Sequence, residues 1–444
     1  MKTWRDSAKT NAPLSRPRLR EGNAMRHVIV GASAAGMAAA EAIRKRDPGA
    51  EIVMLSDETH PPYYRPLIPY LIYNEKTGED ILRQARLTPS NLDLRLGVRA
   101  TRLDPKNQTL TLGRADSLSY DRLLIATGAS PVRPDISGLD GPGVFLLRTW
   151  ADAEGIAKAA KGAKHAVILG AGRIGMKSAF ALRHLGIEVT IVELLERIVP
   201  QQLDKESAAI FAGAVAEAGI KTLLGQTFKS VNHKGKKVAS VTLDDGSNLK
   251  ADLVIVGVGV RANLELAASG GLRVHKGLLV DEGLRTSDAH IFAAGDVVET
   301  KDIVSGKAFV SGIWTNAAEM GRIAGDNMAG GKSTYAGAFS LLNAMELGGL
   351  PVVSVGDVQA HPGKGVEVFA ERHGSNYRKL VFRGDRLIGL ILVGQIERAG
   401  IYQTLIREQA DVSALRRELL GARFHYGHYI LTKPRMADRY VKVG

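Results

Sequence analysis

The chain has 444 residues, of which 45% are hydrophobic, 24% charged and 5% aromatic; this fits a globular protein of two or three domains and excludes a single small module, a disordered chain and an aromatic stacking platform for single-stranded nucleic acid. It contains no cysteine, so thiolate catalysis, disulfide exchange and cysteine-ligated zinc or iron–sulfur clusters are closed to this polypeptide alone. The net charge of +13 is concentrated at the ends, with +4 in residues 1–24 and +5 in residues 333–444, and it favours acidic partners such as a redox protein or a nucleotide.

Residues 1–24 have neither a helical nor a strand period and carry Pro13 and Pro17, which predicts a flexible basic arm. No apolar run approaches the roughly 18 to 20 residues of a spanning helix, and the first residues hold no apolar signal block. A cytoplasmic protein without a membrane anchor is expected. From Met25 onward strands and helices alternate. Arg26-His27-Val28-Ile29-Val30 reads as a buried strand, Gly31-Ala32-Ser33-Ala34-Ala35-Gly36 as a tight turn, Met37–Arg46 as a helix and Glu51–Leu55 as a second strand. The order recurs in Val167-Ile168-Leu169, the turn Gly170-Ala171-Gly172-Arg173-Ile174-Gly175, the helix Met176–Leu185 and the strand Glu188–Val192. Two such copies imply two dinucleotide-binding layers, each a right-handed parallel βαβ unit.

Further apolar strands end at Ala126-Thr127-Gly128, at Gly257-Val258-Gly259 and at Ala293-Ala294-Gly295-Asp296. After about residue 332 the texture changes to longer alternating strands at Val352–Val355, Val366–Ala370, Arg378–Arg383 and Leu387–Val393, then a helix near Glu397–Glu408. With the hairpin signal Arg383-Gly384-Asp385-Arg386, this predicts a separate domain with an antiparallel sheet.

In the second unit Gly170 makes the tight turn, Gly172 lets the backbone approach a pyrophosphate and Gly175 lets helix and strand pack closely, so that phosphates sit on the helix N-terminus. Glu193 ends the following strand, 23 residues beyond Gly170. A carboxylate there accepts from both ribose hydroxyls and repels a 2′-phosphate, which favours NAD over NADP. The first unit keeps Gly31 and Gly36 but has Ser33 in the middle and Ser56 where the acid is expected. Asp57 or Glu58 is left to reach the adenosine ribose.

The ordered set of both glycine loops, Ala126-Thr127-Gly128 and Ala293-Ala294-Gly295-Asp296 resembles the two-dinucleotide-binding-domain flavoproteins of the pyridine nucleotide–disulfide oxidoreductase superfamily, over about residues 25–410. The resemblance implies an α/β protein with two Rossmann-like domains and an α+β C-terminal interface domain. FAD would occupy a discontinuous domain of residues 25–142 and 266–332, NAD would occupy residues 143–265, and residues 333–444 would form the interface domain. Asp296 would bond a ribityl hydroxyl of FAD, the Ala126–Gly128 turn would line the cofactor, and the Gly257–Gly259 strand would lead back to the FAD domain. Trp314 and Thr315 would begin a helix facing the flavin pyrimidine ring, where its dipole stabilises negative charge. Ala34, Ala100 and Ile174 complete the expected cofactor contacts.

The segment Tyr63-Tyr64-Arg65-Pro66-Leu67-Ile68-Pro69-Tyr70 is similar to the one that runs beneath the flavin in ferredoxin and rubredoxin NAD reductases, with Arg65 placed to pair with the FAD pyrophosphate or the flavin. In the coenzyme A disulfide reductase branch the redox cysteine falls where Pro66 stands, so that route is closed. Many ferredoxin-reductase relatives carry a Lys and a Glu where this chain has Tyr70 and Lys177. A lysine in the first turn works against the helix dipole, and such breaches concentrate at functional sites. Lys177 and Tyr70 are therefore the candidate catalytic pair, a solvent-facing Lys177 being the alternative. Arg173 replaces an aromatic gate over the flavin and could approach a phosphate instead.

The family's chemistry is direct hydride exchange between stacked nicotinamide and flavin, for which proximity and orientation supply most of the catalysis. Without a thiol, the second half-reaction needs an external partner, and a one-electron iron–sulfur protein fits, with a quinone or small oxidant as alternatives. The Tyr64–Tyr70, Gly170–Lys177 and Gly349–Gly356 segments are similar to the FAD subunits of phenylglyoxylate dehydrogenase and tungsten aldehyde oxidoreductase. That implies an electron-transfer subunit of a hetero-oligomer, linking ferredoxin-like clusters to NAD. A stand-alone NADH:ferredoxin or rubredoxin reductase is the alternative, and a basic nucleic-acid-binding flavoprotein resembling apoptosis-inducing factor a lesser one. A membrane quinone reductase would need an amphipathic anchor, and the aromatic end Phe424–Leu431 lacks a helical stripe. The 11 histidines show no metal-ligand spacing, so no metal is expected.

Overall fold

Short aliphatic, β-branched runs between glycine turns build two separate parallel sheets, as expected for strands covered on both faces. In the computed structural model, which describes residues 25–83, 91–113, 115–421 and 424–430, the first sheet has the order Ile291–Ala293, Arg122–Ile125, Arg26–Val30, Glu51–Leu55, Leu92–Arg95. The second has the order Ile220–Leu224, Glu188–Glu193, His165–Leu169, Leu253–Val256, Val144–Leu146. In each, the strand entering the glycine loop lies at the centre, and four of its five residues are buried. The loops therefore open at a topological switch point, where ligands bind in such sheets. The basic arm expected over residues 1–24 lies outside the described residues.

Where the chain leaves the first sheet and returns to it, Ala129–Pro131 pairs antiparallel with Val260–Ala262. Asn263 fixes this crossing, donating to the Thr127 carbonyl at 2.9 Å while its own carbonyl accepts from the Thr127 hydroxyl at 2.9 Å. The helix Ala34–Arg46 packs on the helix Trp314–Met328. There Gly321 and Gly325 lie against the backbone of Ala35 and Ala39, a small-on-small contact that brings the start of the second helix beside the first glycine loop.

The C-terminal sheet is antiparallel, with the order Leu342–Leu347, Leu350–Gly356, Arg386–Val393, Asn376–Arg383, Val366–His373. The expected hairpin is present, with Arg383 opposite Arg386. Sequence reasoning missed the strand Leu342–Leu347, because Leu-Asn-Ala-Met-Glu-Leu has no β-branched residue. Its signal was the next pair, Gly348 and Gly349, whose φ values of 61° and 75° make a two-residue turn that only glycine adopts without strain. One face of this sheet carries the helix Ala399–Arg407. On the other face Val352, Tyr377, Ile391 and Val393 join one core with Met176 and Phe211 of the second unit. Among the described residues no helix is long and apolar enough to cross a membrane.

His27 sits in the central strand of the first sheet, fully buried, and neither ring nitrogen has a hydrogen-bond partner. Burial, with Arg122 adding to it against the opposing pull of Asp47, lowers its pKa to about 4 from an ordinary 6.5. Between those values the unfolded chain binds a proton that the folded chain refuses, so stability falls as pH drops through this window and levels off below it. The full effect is about 3 kcal/mol. Denaturant titrations across this range are expected to show that His27→Leu loses less stability on acidification than the parent by about that amount; equal slopes would remove His27 as the cause.

Candidate active site

The carboxyl ends of the two parallel sheets face one continuous cleft of about 1980 Å3. Both glycine loops enter it with the same local geometry. Gly31 N–H donates to the Leu55 carbonyl and Gly170 N–H to the Val192 carbonyl, each at 2.8 Å. The third glycine of each loop meets the first from behind. A Cβ on Gly36 would lie 1.8 Å from the Gly31 carbonyl oxygen, and one on Gly175 would lie 1.9 Å from that of Gly170. The middle position differs, since a Cβ on Gly172 would meet nothing closer than the Gly257 carbonyl at 3.8 Å and would project into the cleft instead.

Three helices begin at this cleft, Ala34–Arg46, Arg173–His184 and Trp314–Met328, and none has a side-chain cap on its first N–H groups or an acidic residue in its first turn. By contrast, Thr149 and Asp204 cap the helices Trp150–Ala160 and Lys205–Glu217 with complete capping boxes. Uncapped, positively polarised helix starts around a cleft are the chemistry that phosphate oxygens need. The open space beside Gly172 is the room a pyrophosphate requires, so the residues present fit two dinucleotides.

Of the residues singled out from the sequence, Gly31, Ser33, Ala34, Asp57, Glu58, Arg65, Ala126, Thr127, Gly128, Gly170, Gly172, Arg173, Ile174, Lys177, Glu193, Gly257, Gly259, Gly295, Asp296, Trp314 and Thr315 all line the cleft. Gly36 and Gly175 stand behind the loops. Ala100 is buried at the start of the strand Ala100–Asp104, opposite Leu112, away from the cleft lining. Tyr70 lies one layer back, where its ring faces the Lys177 ammonium at 5.8 Å.

The acids separate by their partners. Glu58 accepts from the Tyr63 hydroxyl at 2.6 Å and pairs with Arg65 at 2.5 Å, which leaves Asp57 as the exposed carboxylate of the first unit. Glu193 is buried and shapes its own loop: its carboxylate accepts from Ala171 N–H at 2.7 Å and from Leu195 N–H at 2.9 Å. Beside it Ile174, Leu194, Leu195 and Val258 are large apolar residues left exposed inside the cleft, an apolar floor with polar groups at its edge, as in small-molecule sites generally.

Asp296 is held by Arg148, whose guanidinium donates at 2.8 Å, and Arg65 donates in turn to the Arg148 carbonyl at 2.6 Å. Sequence reasoning missed Arg148. Its signal is the Thr149-x-x-Asp152 capping box that follows, because a box fixes the backbone just before the helix and so aims Arg148 back into the cleft. On the other wall Arg173 feels Asp296 across the cleft, although burial holds its guanidinium below the usual range. Burial, then the Arg173 charge, holds the Lys177 ammonium below the usual lysine range as well. Two cations four residues apart on one helix repel one another, and among the described residues neither forms an ion pair with a carboxylate within 4.0 Å.

This geometry has close counterparts among known proteins. Residues 25–321 match the family described as pyridine nucleotide-disulphide oxidoreductase, and residues 342–410 match the rubredoxin NAD+ reductase C-terminal domain. The subunit epsilon of the NADH-dependent phenylglyoxylate dehydrogenase of Aromatoleum evansii is 31% identical over 92% of this chain and 97% of its own. The chain spans about half, 51%, of the assimilatory nitrate reductase electron transfer subunit of Bacillus subtilis, to which it is 29% identical over 89% of its own length. The ferredoxin reductase for the CYP199A2 system from Rhodopseudomonas palustris superposes with a TM-score of 0.81 at 27% identity, covering 91% of this chain and 99% of that one. The chain therefore belongs to the pyridine nucleotide–disulphide oxidoreductase family of flavoprotein oxidoreductases, whose cofactors are FAD and NAD(H).

Proposed function

We propose that the chain is the FAD-containing, NAD-linked electron-transfer subunit of a multi-subunit dehydrogenase, moving electrons between an iron–sulfur partner and NAD. One observation carries this reading: a cleft built for two dinucleotides lies in a chain without a single cysteine, so electrons have no thiol of this chain to go to and must leave the polypeptide. The end-to-end similarity to the phenylglyoxylate dehydrogenase subunit supports it.

Bound FAD supplies a ring that takes a hydride from a nicotinamide and releases electrons singly. The chain's own residues place and charge that site. The N–H groups after Ser33 and Gly172 hold the two pyrophosphates, with Asp57 and Glu193 taking the adenosine riboses. Arg148 orients Asp296 toward the ribityl chain. Trp314 and Thr315 present the positive end of a helix, and Arg173 and Lys177 add two further positive charges, all of which favour negative charge developing in the cleft. The Tyr70 ring faces the Lys177 ammonium from the side away from the cleft. No side chain has to attack or be attacked, so orientation is the chief contribution of the protein.

The purified full chain is expected to be yellow and to bleach on anaerobic addition of NADH; a colourless protein that FAD cannot reconstitute would end this reading. Native pull-down is expected to bring down chains carrying iron–sulfur clusters. The match of residues 342–410 to the rubredoxin reductase C-terminal domain supports a second reading, a stand-alone rubredoxin or ferredoxin reductase, and recovery of the chain alone, fully active with a soluble iron–sulfur acceptor, would select it.

A further inference from the structure

The segment Arg197–Asp204 follows the Glu193 strand and borders the second glycine loop. At its centre Val199 is fully buried with φ +46°, a left-handed conformation that a β-branched residue adopts only when its surroundings force it. Its N–H donates to the Ala171 carbonyl at 3.0 Å, inside the loop assigned to the NAD pyrophosphate. Its own carbonyl accepts from the Gln202 and Leu203 N–H groups, both at 3.0 Å.

The segment on either side of Val199 is held from the C-terminal domain. Gln359 extends from the loop after the strand Leu350–Gly356, and its side-chain amide donates to the Pro200 carbonyl at 3.2 Å and to the Leu203 carbonyl at 3.0 Å. Its carbonyl oxygen accepts from Arg197 at 3.1 Å, and Arg197 donates to the same two backbone carbonyls. The end of the segment is anchored likewise, since Asp204 accepts from the Tyr377 hydroxyl at 2.8 Å and pairs with the buried Lys379 at 3.1 Å. Pro200, Gln202 and Gln359 all face the cleft.

We propose that Gln359 is a positioning residue for NAD: from the C-terminal domain it clamps the strained Val199 segment, which in turn holds the Ala171 carbonyl and so the shape of the pyrophosphate loop. This rests on the assignment of the Gly170–Glu193 unit to NAD. The Tyr377 and Lys379 anchors keep the domains docked when the clamp is opened, so a purely structural loss is not expected. Strain is also what makes the clamp necessary. Glycine at position 199 takes the same φ without backbone strain, although it empties the space of a buried side chain, so in that background there is less strain for Gln359 to hold and its contribution shrinks.

The test is NAD+ titration of the FAD-loaded full chain, read by calorimetry, for the parent, Gln359→Leu, Val199→Gly and the double variant. Gln359→Leu is expected to raise the NAD+ Kd about tenfold with FAD content and melting temperature unchanged, and in the Val199→Gly background its effect is expected to shrink to about twofold. Unchanged Kd in Gln359→Leu, or equal Gln359→Leu effects in both backgrounds, overturns the proposal. Should Gln359→Leu not fold, Gln359→Glu, which keeps the acceptor to Arg197 and loses both donors, is expected to give the same tenfold loss, and an unchanged Kd there is equally decisive. Failure of the parent to bind NAD+ at all would instead defeat the NAD assignment beneath it.

Discussion

Gly36→Ala is expected to yield a colourless protein that retains less than a tenth of the parent's flavin, whereas Gly175→Ala keeps its FAD and loses at least a hundredfold in NAD+ affinity, about 2.7 kcal/mol. The reason is the same at both sites. A methyl group on either residue would be driven to within 2 Å of a backbone carbonyl oxygen in its own loop, at 1.8 Å from Gly31 O or 1.9 Å from Gly170 O. No flexible side chain is available to give way, so either the helix or the loop must move. Overpacking of well-formed cores costs about 1–3 kcal/mol even when a side chain can yield. Moving the helix start also carries its first N–H groups away from the phosphate they serve. The first helix is pinned on its other side by Gly321 and Gly325 against Ala35 and Ala39, so its displacement spreads into the first core, and loss of soluble protein would accompany loss of colour. The second helix disturbs its own sheet, the C-terminal sheet and the short helix Pro69–Ile72 that packs on it, none of which belongs to the first parallel sheet. Flavin absorbance and NAD+ titration on the two variants read the two units separately. If Gly175→Ala lost FAD while Gly36→Ala kept it, the assignment of cofactor to unit would be reversed.

Much of this arrangement is legible in the sequence because each unit is local. Strand, turn, helix and strand lie within about thirty residues in such a unit, and the turn chemistry depends on glycines at fixed spacing, so Arg26–Leu55 and His165–Glu193 could be read at once. What escaped reading depends on contacts between distant segments. Arg148 reaches Asp296 across 148 positions of chain, and nothing near Arg148 in sequence says what it will meet. Gln359 is one of many polar residues beyond a strand until the C-terminal sheet lays it on Pro200 and Leu203. Asp57 and Glu58 were equivalent as neighbours in sequence; Tyr63 and Arg65, brought over by the bend at residues 57–60, take Glu58 and separate them. Lys177 and Tyr70 were joined only by their shared departure from the family pattern, and the fold places the one over the other. Ala100 shows the opposite limit: a resemblance nominated it, yet its small side chain is used in packing against the strand Thr109–Leu112.

Nucleotide choice should turn on Glu193, and the expected reversal requires two changes instead of one. In the parent a 2′-phosphate would be brought against a buried carboxylate, and two like charges about 4 Å apart repel by about 4 kcal/mol under near-surface screening, close to a thousandfold against NADPH. Glu193→Gln removes that repulsion but costs something of its own. The carboxylate holds both the Ala171 and the Leu195 N–H groups, and an amide has one oxygen to offer, so one of them is left without its acceptor. That penalty is about 1–3 kcal/mol for a buried donor and falls on both nucleotides alike, so Glu193→Gln by itself is expected to bind NADH about tenfold more weakly while its preference nearly vanishes. Leu194 supplies the second change. It is 61% exposed and lines the cleft beside the carboxylate, so an arginine there stays hydrated when empty and can fork onto a phosphate when loaded. Glu193→Gln with Leu194→Arg is expected to raise the ratio of kcat/KM for NADPH over NADH by at least a hundredfold, with flavin content unchanged. A ratio that stays where the parent has it would mean that the ribose lies elsewhere and that Glu193 serves only to shape the loop.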